Sequence, residues 1–579
     1  MPKFAENLKK LNVLLINPSA MPYGELISLL SEKSNLRIPS CGMPLGLIEI
    51  AAYLRKKDVI LEIQVIDLAK EVCKFYLNLS NKDPISYLDF INRNLDEVKF
   101  VPDIVGISTM FNSTRKSSLE IATAAKEKWS GCTTMLGGNV ATGQYKNLIE
   151  NDCIDYIARG EGEIALHDFI VQRMQGIDKP QVNGILDRSA VNPSFHVVNI
   201  DLRRSDDDKS TCQSMTDMTQ LALPAYDLLD LEFYKGDHHW GRGCLIFSRG
   251  CPFRCTFCGS KVIHGRLVRH KSIEQCVAET KFLLDNGFRY LSPEDDIWAV
   301  NPKKHKELVD RLCELKEEYD GEIRFNLSQG LSVAVMDEDR MDDIVRMGCK
   351  GAQLAIESGS PYVQKHIIKK NVDLVKARKV LDYMRKIGFK ASVNFILGYP
   401  GETAEMRQET IDYMKTLDVD WVYVFNCAPI KGTDLFAEFE KIADVNEMDW
   451  DNMRMGKRTF DTTELTAEEI ENIVYDANID VNFFNNSNFR NGKYELAIKK
   501  WNEMVLKDYP YHIVGRYCRA MAYKSLNKFD EMGDDLISCV EWTNSHLESK
   551  RLYDRYKRDM PELNILIENN SETVQKLKS

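Results

Sequence analysis

One rhythm constrains the fold more than anything else in the chain: from about residue 11 to residue 435, short apolar runs alternate with amphipathic stretches of helical spacing. The early runs are NVLLINPSA (12–20), EIQVIDLA (62–69), DIVGISTM (103–110), TTMLGGN (133–139) and DYIARGEGE (155–163). Between them lie stretches such as GLIEIAAYLRKK (46–57) and SSLEIATAAKEKW (117–129), apolar every third or fourth residue. Strands separated by helices pair in parallel and are covered on both faces, so residues 1–200 read as a doubly wound α/β sheet, Rossmann-like. Such a sheet binds ligands outside the carboxyl ends of its strands. The loops there are Asn17-Pro18, Ser108-Thr109, Gly137-Gly138-Asn139 and Gly160-Glu161-Gly162-Glu163. A nicotinamide cofactor fits poorly, because the first turn reads NPSAMPYGE and lacks G-x-G-x-x-G. Small residues and hydroxyls around a broad rim suit a large flat ligand instead.

The rhythm resumes after residue 240. Runs at 243–250, 287–301, 322–330, 348–360, 388–403 and 418–433 make six β/α units, a partial (β/α)6 barrel over 201–435. Polar clusters close these runs: Glu294, Asp295 and Asp296; Asn326, Ser328 and Gln329; Glu357, Ser358 and Gly359; and Gly398-Tyr399-Pro400-Gly401-Glu402. Barrel chemistry sits at such ends. The plain alternative for Asp295 and Asp296 is a solvated turn or helix cap. A carboxylate after AQLAI is costly to bury unpaired, which favours a role for Glu357. One intervening helix, VDLVKARKVLDYMRKIG (372–388), should bury Val375, Val380, Leu381, Met384 and Ile387.

Residues 436–579 lose the rhythm and read as a helical C-terminal domain. Thr466 and Glu469 form a capping box. Later segments resemble tetratricopeptide helix pairs, but with fewer than two units they read as a cap on the barrel. Trp501, Tyr509, Tyr511 and Tyr517 should be core or interface aromatics, and the tail ETVQKLKS should fray.

The chain has 579 residues, 76 basic against 87 acidic, a net charge of −11. That sign disfavours a nucleic-acid partner. No run approaches the roughly 20 apolar residues of a membrane span, and the N-terminus lacks a signal peptide's apolar core. A cytoplasmic protein is expected.

Of fifteen cysteines, twelve are scattered and read as buried small apolar residues. Cys251, Cys255 and Cys258 are not: SRGCPFRCTFCGS supplies three thiolates within eight residues. Thiolates select iron–sulfur clusters or zinc. Structural zinc wants four ligands, and Cys244 and His264 stand off finger spacing. Three ligands on a four-iron cube leave one iron open to a small chelating molecule.

C-x₃-C-x₂-C with Phe257 before the last cysteine resembles radical S-adenosylmethionine (SAM) enzymes, and NP, PLGLIEIAAYL, GIS, GGN and RGEGE over 11–170 resemble the cobalamin-binding domain that precedes many of them. The resemblance implies a [4Fe–4S] cluster on the three cysteines. It implies SAM contacts from Phe257, Glu294, Asp295, Asp296, Asn326, Gln329, Glu357, Ser358, Gly398 and Pro400. Cobalamin would sit on Asn17, Pro18, Ser108, Thr109, Gly137, Gly138, Asn139 and Gly160 to Glu163. The cobalt-ligating D-x-H-x-x-G is missing; Asp237-His238-His239-Trp240-Gly241 breaks its spacing and lies outside that domain. Cobalamin would therefore be held without a protein histidine. The implied activity is methylation of an unactivated carbon, or phosphorus, through a 5′-deoxyadenosyl radical and methylcobalamin. A small molecule or peptide would be the substrate, and a flavodoxin- or ferredoxin-type protein the reductant. Ring contraction, cyclisation or rearrangement is the rival reaction. A methylthiotransferase or a non-enzymatic iron–sulfur protein fits less well.

Overall fold

The computed structural model describes residues 10–32, 41–57, 61–81, 83–191, 214–235, 241–319, 322–445, 448–453 and 457–568. The expected tail ETVQKLKS, residues 237–240 and Cys212 lie outside them, as does the side chain of Ser328.

Five parallel strands form the N-terminal sheet: β1 (Leu11–Asn17), β2 (Leu61–Asp67), β3 (Ile104–Ser108), β4 (Thr133–Gly137) and β5 (Tyr156–Ala158). Their spatial order is 2-1-3-4-5, so the chain reverses direction between β1 and β3 and opens a ligand crevice there. A short β6 (Ile185–Leu186), absent from the sequence reading, adds to β5 antiparallel. The chain doubles back at Gly184, whose φ of 82° suits the turn. One face of the sheet has its own core, including Leu14, Ile16, Val105, Leu136 and Ile157. The other face shares one continuous core with the barrel, from Val13 and Phe169 through Tyr234 and Leu245 to Phe395.

Next come β7 (Gly243–Leu245), then an antiparallel ribbon of β8 (Ser248–Arg249) and β9 (Arg269–His270) that carries the cysteine loop. The barrel continues with β10 (Tyr290–Pro293), β11 (Arg324–Phe325), β12 (Leu327–Ser332), β13 (Gly351–Glu357), β14 (Lys390–Leu397) and β15 (Trp421–Asn426), all parallel. The six expected units are present, with the third strand broken: β11 pairs with β10, while β12 pairs with β13. That strand also runs on to Ser332, so Asn326 and Gln329 stand early in it and not at its carboxyl end. The alternation of apolar residues continues through Leu331, which is fully buried, and carries the pairing past the polar triplet.

Helix Leu374–Lys386 buries Ala377, Val380, Leu381 and Met384 as its spacing demands. Val375 departs from expectation and is 67% exposed, because it follows the N-cap Asp373 in the first turn. The capping box is present: Glu469 N donates to Thr466 Oγ1 and Thr466 N to Glu469 Oε2. C-terminal helices pack around Trp501, which is fully buried with Tyr517. Tyr509 is half exposed, at 50%. Nine of the scattered cysteines are buried, and Cys153 and Cys313 are half-buried.

Candidate functional site

The cysteine loop leaves β8 at Arg249. Gly250 turns with φ 94°, and a β-carbon there would lie 2.3 Å from the Leu267 carbonyl oxygen, so only glycine lets the chain through. Gly250 N donates to Asp296 Oδ2 at 2.7 Å, tying the loop to the end of β10. Thr256, between the second and third cysteines, donates through N and Oγ1 to the carbonyls of Ile368 and Ile367. Those bonds bring a single π-helical turn, Val363–Ile367, and the following Lys370 up to the loop.

Cys251, Cys255 and Cys258 are half-buried and free of disulfides. Burial pushes the Cys251 thiol up to about 12 and the Cys255 thiol to about 11, with Lys370 opposing the rise at Cys255. The three thiols act electrostatically on one another. Among the described residues no three His, Cys, Asp or Glu side chains converge as one metal ion needs, but a cube offers each thiolate its own iron. Three unpaired, half-buried thiols on one loop fit such a cluster. His264 Nδ1 lies 2.7 Å from Glu161 Oε1, and Cys244 is buried on β7.

Around the thiols the structure gathers some of the expected residues. Asp296 acts on Cys251 and Cys258, and Glu357 on Cys255 and Cys258. Glu357 ends β13 at a register shift, with φ 74°. This left-handed conformation is rare for a residue with a side chain and is common at functional sites. Its Oε1 accepts from Lys370 Nζ at 2.9 Å, both groups being nearly buried. Lys370 escaped the sequence reading because IIKKNVD carries no motif; only the π-helical turn brings it here. Tyr399, also unassigned, is 1% exposed with a hydroxyl lacking a partner, its ring 6.2 Å from that of Phe257. Gln329 bonds Glu294 beside the end of β10.

Other expected residues face away. Ser358 is fully buried against Thr410, Oγ to Oγ1 3.0 Å. Asp295 accepts from Phe247 N at 2.9 Å and from Ser248 Oγ, bracing the start of the loop. Burial, opposed by those bonds, lifts its carboxyl to about 7. Gly398 lies under Ile470 and Arg458, whose Nη2 donates to its carbonyl at 2.7 Å, and Pro400 is buried beside it.

The carboxyl ends of the N-terminal sheet face this loop. Gly138 has φ 99°, and a β-carbon there would meet the Thr109 carbonyl oxygen at 2.9 Å. Asn139 reaches Gly259, the residue after Cys258, and its Oδ1 is buried without a partner. An unmatched acceptor on a glycine-lined rim fits an amide-bearing flat ligand. Ser108 is half-buried, whereas Thr109 is fully buried and donates to Ser118. Asn17 Nδ2 donates to Asp67 Oδ1 at 2.8 Å, with Pro18 buried next to it. Met110 and Phe111, which the sequence reading passed over, are 40% and 58% exposed at the crevice beside β3.

Glu161 and Glu163 depart most from expectation. They are 4% and 2% exposed and point into the seam between sheet and barrel, not onto the rim. Arg249 Nη2 donates to Glu163 Oε1 at 2.6 Å and to Glu49. Glu161 pairs with Arg269 at 2.7 Å. Lys271 bridges Glu49 at 2.9 Å and Glu279 at 2.7 Å. Burial alone would raise the Glu49 carboxyl; Lys271 and Arg249 outweigh it, and it stands at about 2. The cations likewise hold Glu161 well below the usual range. Gly160 is buried as well, its N bonded to Thr142 Oγ1 at 3.1 Å.

A parallel partial barrel with a three-thiol loop at its carboxyl ends is the frame on which radical SAM chemistry is carried out. The radical SAM superfamily matches residues 245–414, and the B12 binding domain matches residues 35–170. The chain thus carries a B12-binding domain followed by a radical SAM domain. "Uncharacterized methyltransferase PH0819" of Pyrococcus horikoshii is 28% identical over 406 residues, 69% of this chain and 79% of that one. Cytidylyl-2-hydroxyethylphosphonate methyltransferase of Streptomyces wedmorensis is 27% identical over 74% of this chain and 81% of its own. Among solved structures, the cobalamin-dependent SAM radical enzyme OxsB, with aqua-cobalamin and SAM bound, covers 98% of this chain and 83% of its own at TM-score 0.61 and 16% identity. No helix among the described residues is long and apolar enough to cross a membrane.

Proposed function

We propose that this protein is a cobalamin-dependent radical SAM methyltransferase acting on an unactivated carbon, or phosphorus, of a small molecule or peptide. One observation carries the reading: the thiol loop Cys251–Cys258 is pressed directly against the rim of the B12-binding domain, with Gly259 on Asn139. Two cofactors held there would share one space. Relatives named as methyltransferases support the reaction class.

When bound, the cluster and SAM supply a carbon radical and cobalamin supplies a transferable methyl group; the protein positions them and excludes water. Cys251, Cys255 and Cys258 would hold the cluster. Lys370, paired to Glu357 beside the thiols, offers a cation for the methionyl carboxylate. Asp296 and Glu294 offer acceptors for its amine, and Phe257 with Tyr399 an apolar wall. Gly137, Gly138, Asn139 and Gly160 would carry the corrinoid's polar edge, with Met110 and Phe111 against its apolar surface. Asn326 and Gln329, lower in the third strand, would back this site, Gln329 through its bond to Glu294. Residues 1–200, 201–435 and 436–579 are the three units of this arrangement, the last capping the barrel. The cluster's sensitivity to oxidants and the unpaired cysteines support a cytoplasmic enzyme served by a flavodoxin- or ferredoxin-type reductant.

Anaerobic reconstitution followed by product counting tests this. S-adenosylhomocysteine appearing alongside 5′-deoxyadenosine is the expected result. 5′-Deoxyadenosine alone with every substrate tried would overturn methyl transfer in favour of rearrangement. Absence of a corrinoid spectrum overturns the cobalamin assignment, and Cys255→Ala should abolish SAM cleavage.

A further inference from the structure

Arg249 lies two residues before Cys251 and is 4% exposed. It carries a charge into the seam between two folded units, where three carboxylates from the other unit meet it. Nη2 bonds Glu163 Oε1 at 2.6 Å and also Glu49; Nη1 stands 3.6 Å from Glu161 Oε2. Glu49 lies on helix Leu45–Lys56, while Glu161 and Glu163 flank Gly162 directly after β5. Two of these carboxylates, Glu161 and Glu49, are also bound by Arg269 and Lys271 from the far side of the cysteine loop. The loop is therefore bracketed: Arg249 before it, and His264, Arg269 and Lys271 after it, all grip the B12-binding domain.

Buried ion pairs add little net stability over well-packed apolar residues, and their best-attested use is to fix register. The path from Arg249 to the first thiol is also stiff. One residue separates them, and that residue, Gly250, is locked between the Leu267 carbonyl and Asp296. A shift of the Arg249 backbone would carry Cys251 with it.

We propose that Arg249 is a positioning residue: its grip on Glu49, Glu161 and Glu163 sets where the cluster stands relative to the corrinoid rim. This rests on the reading above that both cofactors bind at the seam. It also accounts for two acidic residues on a ligand-binding loop that never reach the ligand: they hold the neighbouring domain.

The test uses the full-length protein loaded with cob(II)alamin and a reduced cluster, and reads the magnetic interaction between cobalt and cluster by electron paramagnetic resonance. Arg249→Lys keeps the charge and loses the two-armed fork. Glu163→Gln keeps Arg249 and removes one anchor. Both should bind iron and corrinoid at wild-type stoichiometry with unchanged circular dichroism, yet show a cobalt–cluster interaction displaced from the wild-type value. An unchanged interaction in either folded variant overturns the inference. If Arg249→Lys does not fold, Glu163→Gln decides. A wild-type protein that binds no corrinoid instead overturns the reading beneath the inference, a result distinct from an unchanged coupling.

Discussion

Asn139, at the tip of β4, lies against Gly259, the residue after Cys258: a β-carbon on Gly259 would sit 2.8 Å from Asn139 Nδ2. Glycine at this position lets one domain's rim touch the other domain's cysteine loop.

Gly259→Ala should leave the fold intact, because the neighbour is the free end of an amide that can swing aside, a change worth under about 1 kcal/mol. Swinging Asn139 removes it from the rim, so corrinoid affinity should fall by roughly tenfold, the equivalent of one lost hydrogen bond. Equilibrium dialysis with cobalamin measures it, and Asn139→Ala should match. Wild-type affinity in both variants would remove Asn139 from the binding surface.

Lys370→Met leaves Glu357, 8% exposed, without its cation. A buried carboxylate stripped of its cation costs about 3–5 kcal/mol, and SAM should bind roughly tenfold more weakly or worse. Calorimetric titration of SAM into the reconstituted protein reads this directly. Lys370→Arg should restore part of the affinity; equal binding by all three proteins would refute the assignment.

Gly143 meets the barrel backbone-to-backbone: a β-carbon there would lie 2.5 Å from the Lys431 carbonyl oxygen. A carbonyl cannot swing as a side chain can. Gly143→Val should therefore destabilise the seam by about 1–3 kcal/mol, lowering the melting midpoint and speeding proteolytic separation of the two α/β units. A melting curve superimposed on the wild type's would show that the seam yields freely.

His512 caps helix Ile513–Ser525, accepting from Gly515 N at 3.1 Å, and stacks on Phe483 at 5.1 Å. Burial pulls its pKa down to about 4. Between pH 4 and the ordinary value near 6.5, the unfolded chain binds a proton that the native chain refuses, so stability rises with pH across this window and is lost as pH falls. The effect is on the order of 2 kcal/mol. His512→Asn keeps a capping acceptor without the titration. Urea midpoints from pH 6.5 to 4.5 should drop less steeply for the variant; parallel slopes would mean His512 charges freely in the fold.

Periodicity made the architecture readable in the chain itself. The apolar runs of β1 to β5, the six barrel units and the capping box at Thr466 depend on spacings of two and 3.6 residues, and neighbouring side chains settle them locally. The grouping of the thiols at 251, 255 and 258 was equally plain, since one short loop carries all three. Boundaries were less visible where pairing overrides local polarity, as in β12, which runs through Gln329 to Ser332.

The roles of charged and polar residues at strand ends were not readable in this way. Glu161 and Glu163 look like loop acids facing a ligand, yet their partner Arg249 stands 86 residues or more away along the chain. Ser358 and Gly398 turn inward because Thr410, Ile470 and Arg458 happen to cover them. Lys370 arrives beside the thiols only through the hydrogen bonds of Thr256 to the turn before it. A backbone's repeat is written in consecutive residues, whereas the direction of a carboxylate depends on which distant cation shares its burial. That partner is chosen when the domains close on one another.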